Sequence, residues 1–320
     1  MMEKAINGIH HITVMASDPQ ANYDFYTDLL GMRFIKKTVN FDAPDVYHLY
    51  YADEIGTPGT VLTFFPFPDA KRGKRGSGEI TIVAFSVPSN SLNYWANRFS
   101  ERAVNFDGPF TKFGYSCISL LDPDGMKIEI VADPAADIIA GWNNGDVPAD
   151  YSIRKFFGVY FYLKNSLKSV ELLTNIMGAV LSGTEGNIKR YSFGNEASQA
   201  FVDIQEDPDS QPGINGAGTV HHIAWRTAND NEQNNWRNKM IESGLYPTEM
   251  IDRNYFHSIY FREPGGILYE IATDGPGFLV DENLDSLGME LKLPAWHESK
   301  RKLIEQLLIP LKTKKFVKQN

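Results

Sequence analysis

One structural pattern recurs four times along this chain of 320 residues: an apolar strand, a helical stretch, then several strands that close near a turn. Internal repetition constrains a fold strongly, because each unit must bury its apolar face against another unit. The units open with the predicted strands Ile9–Met15, Glu79–Val87, Gly158–Leu163 and Val220–Arg226. Their predicted helices are Pro19–Leu30, Leu92–Arg102, Ser166–Met177 and Asn231–Ser243. The sequence therefore predicts an α+β fold of four tandem βαβββ modules.

The ends of the predicted elements carry local signals. Asp18 suits the N-cap of the first helix, Pro19 suits its first turn, and Gly31 supplies its stop. Further predicted strands of the first module are Phe34–Asn40, Tyr47–Tyr51 and Thr60–Pro66. The other three modules are predicted to close with strands Met126–Ala132, Ala200–Gln205 and Gly266–Ala272.

The modules divide the chain into regions. Residues 1–140 hold the first pair of modules and 151–274 the second pair, with a linker near Pro134–Tyr151. Residues 275–320 form an extension with a predicted amphipathic helix over Pro294–Leu308. The extension ends in a basic tail, expected to be solvated, with Lys312, Lys314, Lys315 and Lys318.

Composition excludes several classes of protein. The chain is 42% hydrophobic and 12% aromatic, which is too apolar for a disordered protein. A net charge of -9 argues against nucleic-acid binding, and no apolar run is long enough to cross a membrane. The lone Cys117 permits no internal disulfide and no thiolate zinc site. We therefore expect a cytoplasmic protein without nucleic-acid or membrane partners.

Two adjacent histidine pairs stand out among only seven histidines, and each pair precedes an isoleucine. Because strand side chains alternate, His11 and Thr13 share one face while His10 should point the other way. A lone pair would ordinarily be a satisfied turn or core feature, and Glu270 alone would be an edge-strand residue facing water. Together, two histidines and one carboxylate on strands of repeated units favour a facial triad for iron or manganese.

Six segments carry a resemblance to a known family. They are Gly8–Thr13, Tyr47–Tyr51, Pro58–Pro66, Val220–Ala224, Asp252–Glu263 and Leu268–Glu270. With these motifs the chain resembles the vicinal-oxygen-chelate superfamily, which includes glyoxalases, bleomycin-resistance proteins and extradiol dioxygenases. It is most similar to the hydroquinone ring-cleaving dioxygenases of that superfamily. The resemblance covers nearly the whole chain and implies two barrel-like domains.

The resemblance also implies a set of site residues. The metal ligands would be His11, His222 and Glu270, holding Fe(II) or Mn(II). Residues that act on substrate or support the ligands would be His10, Thr13, His221, Arg253 and Tyr260. One metal must then be reached from the first and fourth modules, so these two should share a barrel. The second and third modules would form a metal-free barrel, with Glu129 as a relic carboxylate.

The function implied is an Fe(II)-dependent extradiol-type dioxygenase that cleaves a hydroquinone or catechol-like diol with O2. Its acid–base group would be His221 or His10, between which the sequence does not choose. Two alternatives stay open: a glyoxalase-like metal-dependent isomerase or lyase, and a binding protein that sequesters a small molecule. The partners expected are therefore a small aromatic diol and O2, and a homo-oligomer is also consistent with this fold.

Overall fold

The structure, a computed structural model, describes residues 5–194 and 198–314, and sixteen strands lie in that part of the chain. The strands of the first two modules are β1 Ile9–Ala16, β2 Arg33–Asn40, β3 Ala43–Ala52, β4 Val61–Pro66, β5 Glu79–Val87, β6 Phe106–Lys112, β7 Tyr115–Leu121 and β8 Lys127–Ala132. Those of the last two are β9 Lys155–Leu163, β10 Val180–Glu185, β11 Ile188–Phe193, β12 Ala200–Glu206, β13 Val220–Thr227, β14 Ile251–Asp252, β15 Phe256–Arg262 and β16 Leu268–Pro276.

The strands form two eight-stranded sheets, and each sheet contains the strands of two modules. One sheet has the order β14-β15-β16-β13-β1-β4-β3-β2, so it combines the first module with the fourth. The other has the order β10-β11-β12-β9-β5-β8-β7-β6, so it combines the second with the third. In both sheets the opening strands of the two modules pair antiparallel at the centre. The predicted α+β fold, with the first and fourth modules in one sheet, is confirmed.

All four predicted module helices are present, and two of them change from α-helix to π-helix in their second half. The first and third modules begin with short α-helices, α1 Pro19–Asp24 and α3 Leu167–Glu171, each continued by a π-helical turn, Phe25–Leu29 and Leu172–Ile176. Over a single turn, apolar spacing does not distinguish a π-helix from an α-helix, so the pattern predicts only that a helix is present. The helices of the second and fourth modules are α throughout, α2 Leu92–Glu101 and α4 Asp230–Glu242.

The C-terminal extension holds two short helices where one was predicted. They are α5 Ala295–Glu298 and α6 Arg301–Leu307. Ile304 and Leu308 are buried, whereas the other apolar positions of the predicted face are about half exposed: Trp296, Leu303 and Leu307. The buried stripe is therefore too narrow to hold one continuous amphipathic helix against the sheet.

Part of the basic tail is docked on the first module. The Lys314 ammonium lies 2.7 Å from an Asp28 oxygen and 3.2 Å from an Asp146 oxygen. Lys315 and Lys318 lie outside the described residues. Short 3₁₀ turns complete the helical structure: Pro134–Ala136, Ala149–Tyr151, Phe278–Val280 and Leu284–Ser286.

The loops that link consecutive modules join the two sheets. The loop before β5 bonds to the loop before β13, with Gly73 N donating to the Ala217 carbonyl (3.0 Å) and Lys74 N to that of Ile214 (2.9 Å). These contacts hold one edge of each sheet beside the other. Within the described ranges, no helix is long and apolar enough to span a membrane.

Candidate metal centre

The three predicted ligands lie on three neighbouring strands of the first sheet. His11 is on β1, His222 on β13 and Glu270 on β16. Ala224 of the central strand pairs with His11 on one side and with Glu270 on the other, and His222 shares its face two residues away. Three side chains therefore converge over the small methyl group of Ala224.

The ligand atoms lie close together and away from solvent. His11 Nε2 is 3.3 Å from both His222 Nε2 and Glu270 Oε2, and His222 Nε2 is 2.9 Å from the same oxygen. The three side chains are 2%, 5% and 0% exposed. In the described part of the chain, this is the one group of three such side chains with metal-binding spacing.

One carboxylate oxygen of Glu270 faces the rings of His11 and His222. Its Oε1 accepts a hydrogen bond from the Ser258 hydroxyl, whereas Oε2 has no well-aligned hydrogen-bond donor among the described residues. Burial by itself would raise the pKa of Glu270, but the His11 and His222 imidazoles outweigh it and hold that pKa well below the usual range. A buried carboxylate oxygen without a donor, facing two imidazole nitrogens, fits a divalent cation of the Fe(II) type.

Two β-bulges explain why histidines occur in pairs. The register of β1 on β13 steps from Ile9↔Trp225 to His11↔Ala224, which leaves His10 without a partner. It steps again between Thr13↔His222 and Val14↔Val220, which leaves His221 unpaired. A bulge turns its extra residue away from strict alternation. The alternation on which the predicted orientation of His10 rests therefore does not apply at this bulge.

Each bulged histidine contacts the ring of the ligand beside it. His10 Nδ1 is 2.9 Å from His11 Nδ1, and His221 Nδ1 is 2.7 Å from His222 Nδ1. A ligand that offers Nε2 to a metal carries its proton on Nδ1, so that N–H donates to the neighbouring Nδ1. Burial lowers the pKa of His222, which leaves the imidazole neutral at neutral pH. The first histidine of each pair thus orients the second.

A cavity of about 330 Å³ opens above the ligands. Its walls are largely aromatic, and residues from both modules of the sheet contribute. The lining residues are His11, Asn40, Phe41, Asp42, His48, Tyr50, Phe65, His221, His222, Arg253, Phe256, Tyr260 and Leu268. The volume suits a ligand about the size of one substituted aromatic ring.

Arg253 and Tyr260 form the polar side of the cavity. Arg253 Nε donates to the Tyr260 hydroxyl at 3.1 Å, and its Nη1 lies 3.1 Å from an Asp42 oxygen. Tyr260 pairs with Glu270 across neighbouring strands. Burial and the Glu270 charge raise the pKa of Tyr260, so its hydroxyl stays protonated at neutral pH.

The remaining predicted site residues differ in whether they line the cavity. His221 lines the cavity, whereas His10 lies behind His11 against the Phe256 ring. Thr13 is fully buried and does not line the cavity. Its hydroxyl is 2.7 Å from that of Thr63, which in turn is 2.8 Å from His48 Nε2.

Sequence reasoning missed one supporting residue, Ser258. Ser258 bonds Glu270, and alternation from Tyr260 along β15 is the signal that puts it on the ligand face. His48, expected to be structural or cavity-lining, lines the cavity, and the Tyr50 hydroxyl is 2.8 Å from its Nδ1. His257 lies outside this set, with its Nδ1 2.6 Å from Asp230.

The second sheet has a carboxylate at the matching position but no histidine ligands. Glu129 pairs with Ala84 as Glu270 pairs with Ala224. The Lys112 ammonium lies 2.7 and 2.9 Å from its two oxygens, so this carboxylate is neutralised by an ion pair. The interpretation of Glu129 as a carboxylate without metal partners agrees with this geometry.

Comparisons with known proteins place the chain in a family. The profile of the "Glyoxalase/Bleomycin resistance protein/Dioxygenase superfamily" matches residues 8–130. The chain is 41% identical to "Putative ring-cleaving dioxygenase MhqO" of Bacillus subtilis (strain 168), over 98% of this chain and 99% of that protein. It is 35% identical to "Chlorohydroquinone/hydroquinone 1,2-dioxygenase" of Sphingobium indicum, over 91% and 92%.

A solved structure agrees with these relatives. The crystal structure of a "putative dioxygenase" from B. subtilis superposes with a TM-score of 0.93 at 40% identity, covering 98% of this chain and 99% of that one. The prediction of an enzyme of the metal-dependent ring-cleaving dioxygenase class is confirmed at that level. The chain belongs to the glyoxalase/bleomycin resistance protein/dioxygenase superfamily, among its ring-cleaving dioxygenases.

Proposed function

We propose that this protein is an Fe(II)-dependent, extradiol-type dioxygenase that cleaves the ring of a hydroquinone or catechol-like diol with O2. The observation that carries the proposal is the buried group His11, His222 and Glu270, whose two histidines line a ring-sized aromatic cavity. A relative named as a hydroquinone dioxygenase supports the substrate class. Mn(II) is the alternative metal, because the same donor set accepts it.

The metal would supply Lewis acidity and electron transfer between the diol and O2. The protein's own residues bind and orient the substrate. Phe41, Phe65 and Phe256 would hold the ring, and Arg253 together with the Tyr260 hydroxyl would bind a substrate oxygen. The Arg253–Tyr260 hydrogen bond fixes both groups before substrate enters, which lowers the cost of ordering them.

We assign the acid–base role to His221 over His10, because His221 lines the cavity and His10 lies behind a ligand. Burial and the neighbouring His222 lower the pKa of His221 to about 3, so its imidazole is neutral. Because its Nδ1 accepts from His222, the ring keeps its proton on Nε2, which would donate to a substrate oxygen. An anionic substrate oxygen beside it would raise that pKa toward the working range. His10 and Thr13 would be positioning residues that support the ligand strand.

The two alternatives have less support. A glyoxalase-like isomerase would typically use four protein ligands, whereas the group found among the described residues has three. A sequestering protein needs no buried metal-binding group. The cytoplasmic location, the lack of nucleic-acid and membrane partners, and homo-oligomerisation stay predictions.

The test is oxygen uptake by protein loaded anaerobically with Fe(II) and then given a panel of hydroquinones and catechols. We expect consumption of O2 with at least one diol, at one O2 per ring opened. Parallel loading with Mn(II) compares the two metals. Iron-loaded protein that consumes no O2 with any diol would contradict the proposal.

A further inference from the structure

A second cavity, of about 380 Å³, lies between the two sheets and away from the metal ligands. The first residues of β1 and the loop before β4 separate it from the cavity above the metal centre. Ile9, Pro58 and Phe156 supply apolar wall, and the linker after β8 contributes Ile139 and Ala140. The proposed dioxygenase chemistry uses none of these residues.

Two adjacent cations line this cavity and are nearly buried. Arg154 and Lys155 are each 7% exposed. Neither makes an ion pair with a carboxylate among the described residues, although Lys155 Nζ donates to the Gln199 carbonyl at 2.7 Å. The Arg154 guanidinium donates to the Ser152 hydroxyl, while its Nε has no partner in the described part of the chain. Asp150 and Asp137 attract the Arg154 charge, and Asp133 attracts that of Lys155, but none of them contacts its cation directly. Buried charges without a partner in contact are costly.

The other charged groups of the cavity have hydrogen-bond or ion-pair partners of their own. Arg226 makes a two-point ion pair with Asp274, at 2.7 and 2.9 Å. Asp53 accepts hydrogen bonds from backbone N–H groups of its own loop, including those of Gly56 and Thr57. Within the described residues, neither Arg154 nor Lys155 therefore has a carboxylate in direct contact, which leaves that position for a ligand.

We propose that the cavity between the sheets binds a small organic anion, with its carboxylate on Arg154 and Lys155 and its apolar body against Ile9, Pro58 and Phe156. A guanidinium beside an ammonium suits a carboxylate, because one supplies a planar fork and the other a point charge. The apolar walls favour an aromatic or aliphatic acid over a bare inorganic ion. A cavity of about 380 Å³ has room for such a molecule.

The test is calorimetric titration with benzoate, together with its neutral analogue benzamide and inorganic phosphate. We expect benzoate to bind at one site, and benzamide and phosphate to bind at least tenfold more weakly. Arg154→Met and Lys155→Met should each weaken benzoate binding at least tenfold. Arg253→Met is the matched control, because it removes the cation of the metal-site cavity and should leave this binding unchanged.

A fourth variant distinguishes loss of benzoate binding from loss of folding. Ala140→Trp places a large side chain at the exposed rim of the cavity without removing a charge, and it should also weaken benzoate binding at least tenfold. Circular dichroism of all variants checks their fold. Benzoate binding that survives Arg154→Met and Lys155→Met, or that falls with Arg253→Met, would overturn the proposed site. Equal binding of phosphate and benzoate would overturn the organic-acid class.

Discussion

Each proposed metal ligand contacts a side chain that is not itself a proposed ligand. His10 contacts His11, His221 contacts His222, and the Ser258 hydroxyl donates to Glu270. Such contacts fix the ring orientation and the tautomer of a ligand before the metal arrives. The metal affinity of this site should therefore depend on six residues, although only three would touch the ion.

Removing one ligand should abolish metal binding. His222→Ala leaves two donors on separate strands, and we expect the stoichiometric Fe(II) content of the loaded protein to fall below a tenth of the wild-type value. His257→Ala is the matched control, since His257 is in the same sheet but pairs with Asp230 outside the cavity. Metal content after anaerobic loading and desalting measures both. An unchanged metal content in His222→Ala would remove the ligand assignment.

Tyr260→Phe tests the orienting hydroxyl. The substitution keeps the ring and removes the group to which Arg253 Nε donates. Loss of one oriented hydrogen bond to a reacting oxygen corresponds to about a hundred- to thousandfold lower kcat. We expect that loss with an unchanged iron content. Unaltered steady-state kinetics in Tyr260→Phe would show that the hydroxyl does not act on the substrate.

The sequence predicted which three possible ligands the structure brings together, but not the contacts of their neighbours. Two histidine pairs and a strand carboxylate indicate a metal set. The orientation of His10 depends on a bulge, and that bulge depends on pairing with β13. Strand alternation read from one segment contains no information about a partner more than 200 residues away, so it could not predict this bulge.

At the scale of strands, equivalent β-bulges occur in both sheets, so they are a feature of the repeated module and not of the metal site alone. In the second sheet the register steps from Ile80↔Phe161 to Ile82↔Tyr160, and from Ala84↔Gly158 to Phe85↔Phe156. Ile82 and Gly158 thus stand where His222 and His11 stand in the first sheet. The strands of the two sheets pair in the same way at this position. The sheets differ there because the first has His11 and His222 where the second has Gly158 and Ile82.

Gly158 occupies the position of His11 in the second sheet, and a substitution there tests whether a side chain fits. A Cβ at this position would lie 2.3 Å from the Phe201 carbonyl oxygen on the neighbouring strand. We expect Gly158→Ala to lower the free energy of unfolding by about 1–3 kcal/mol, the usual cost of overpacking. Gly275→Ala is the control, because its Cβ would meet no atom within 4 Å. Urea unfolding measures both, and equal stability of the two variants would contradict the prediction.

The turn between β7 and β8 should make stability depend on pH. Asp122 accepts bonds from Met126 N and Asp124 N, and burial raises its pKa to about 6. A carboxyl with a raised native pKa contributes stability below about pH 4 and loses it as the pH rises through about 6. The shift corresponds to about 3 kcal/mol.

Asp122→Asn isolates this contribution. The amide can keep the same acceptor oxygen but does not titrate, so the variant should lack the loss of stability between pH 4 and pH 7. The difference in unfolding free energy between wild type and variant, measured by urea at both pH values, removes the effects of other groups. A difference that is the same at pH 4 and pH 7 would refute the raised pKa.

The sequence predicted where the module helices lie, but not whether each turn is an α-helix or a π-helix. The π-helical turns after α1 and α3 close with bonds five residues apart, Leu30 N to the Phe25 carbonyl and Met177 N to that of Leu172. Which of the two helical bonds forms depends on packing against the sheet. Apolar spacing therefore indicates the buried face and leaves the hydrogen-bond pattern undetermined.

At the scale of the whole molecule, chain order and sheet membership are separated. Both central strand pairings, β1 with β13 and β5 with β9, join the first half of the chain to the second half. His11 and His222, 211 residues apart, meet only through the first of these pairings. The need for one metal to reach both histidines predicted this arrangement, whereas nothing in the sequence pattern indicated the cavity between the sheets.

Cutting the chain between its halves tests this arrangement, and with it the proposed division into 1–140 and 151–274. Fragments 1–150 and 151–320 each lose the central partner strand of both sheets, so we expect neither to fold alone. Expressed together, they should associate and bind Fe(II), because β1 and β13 then pair. Fragment 79–206 is the control, since it contains all eight strands of the second sheet and should fold by itself without binding metal. Co-purification, circular dichroism and metal content measure the outcome. A folded, monomeric 1–150 fragment would mean that pairing within each half, and not between the halves, stabilises the molecule.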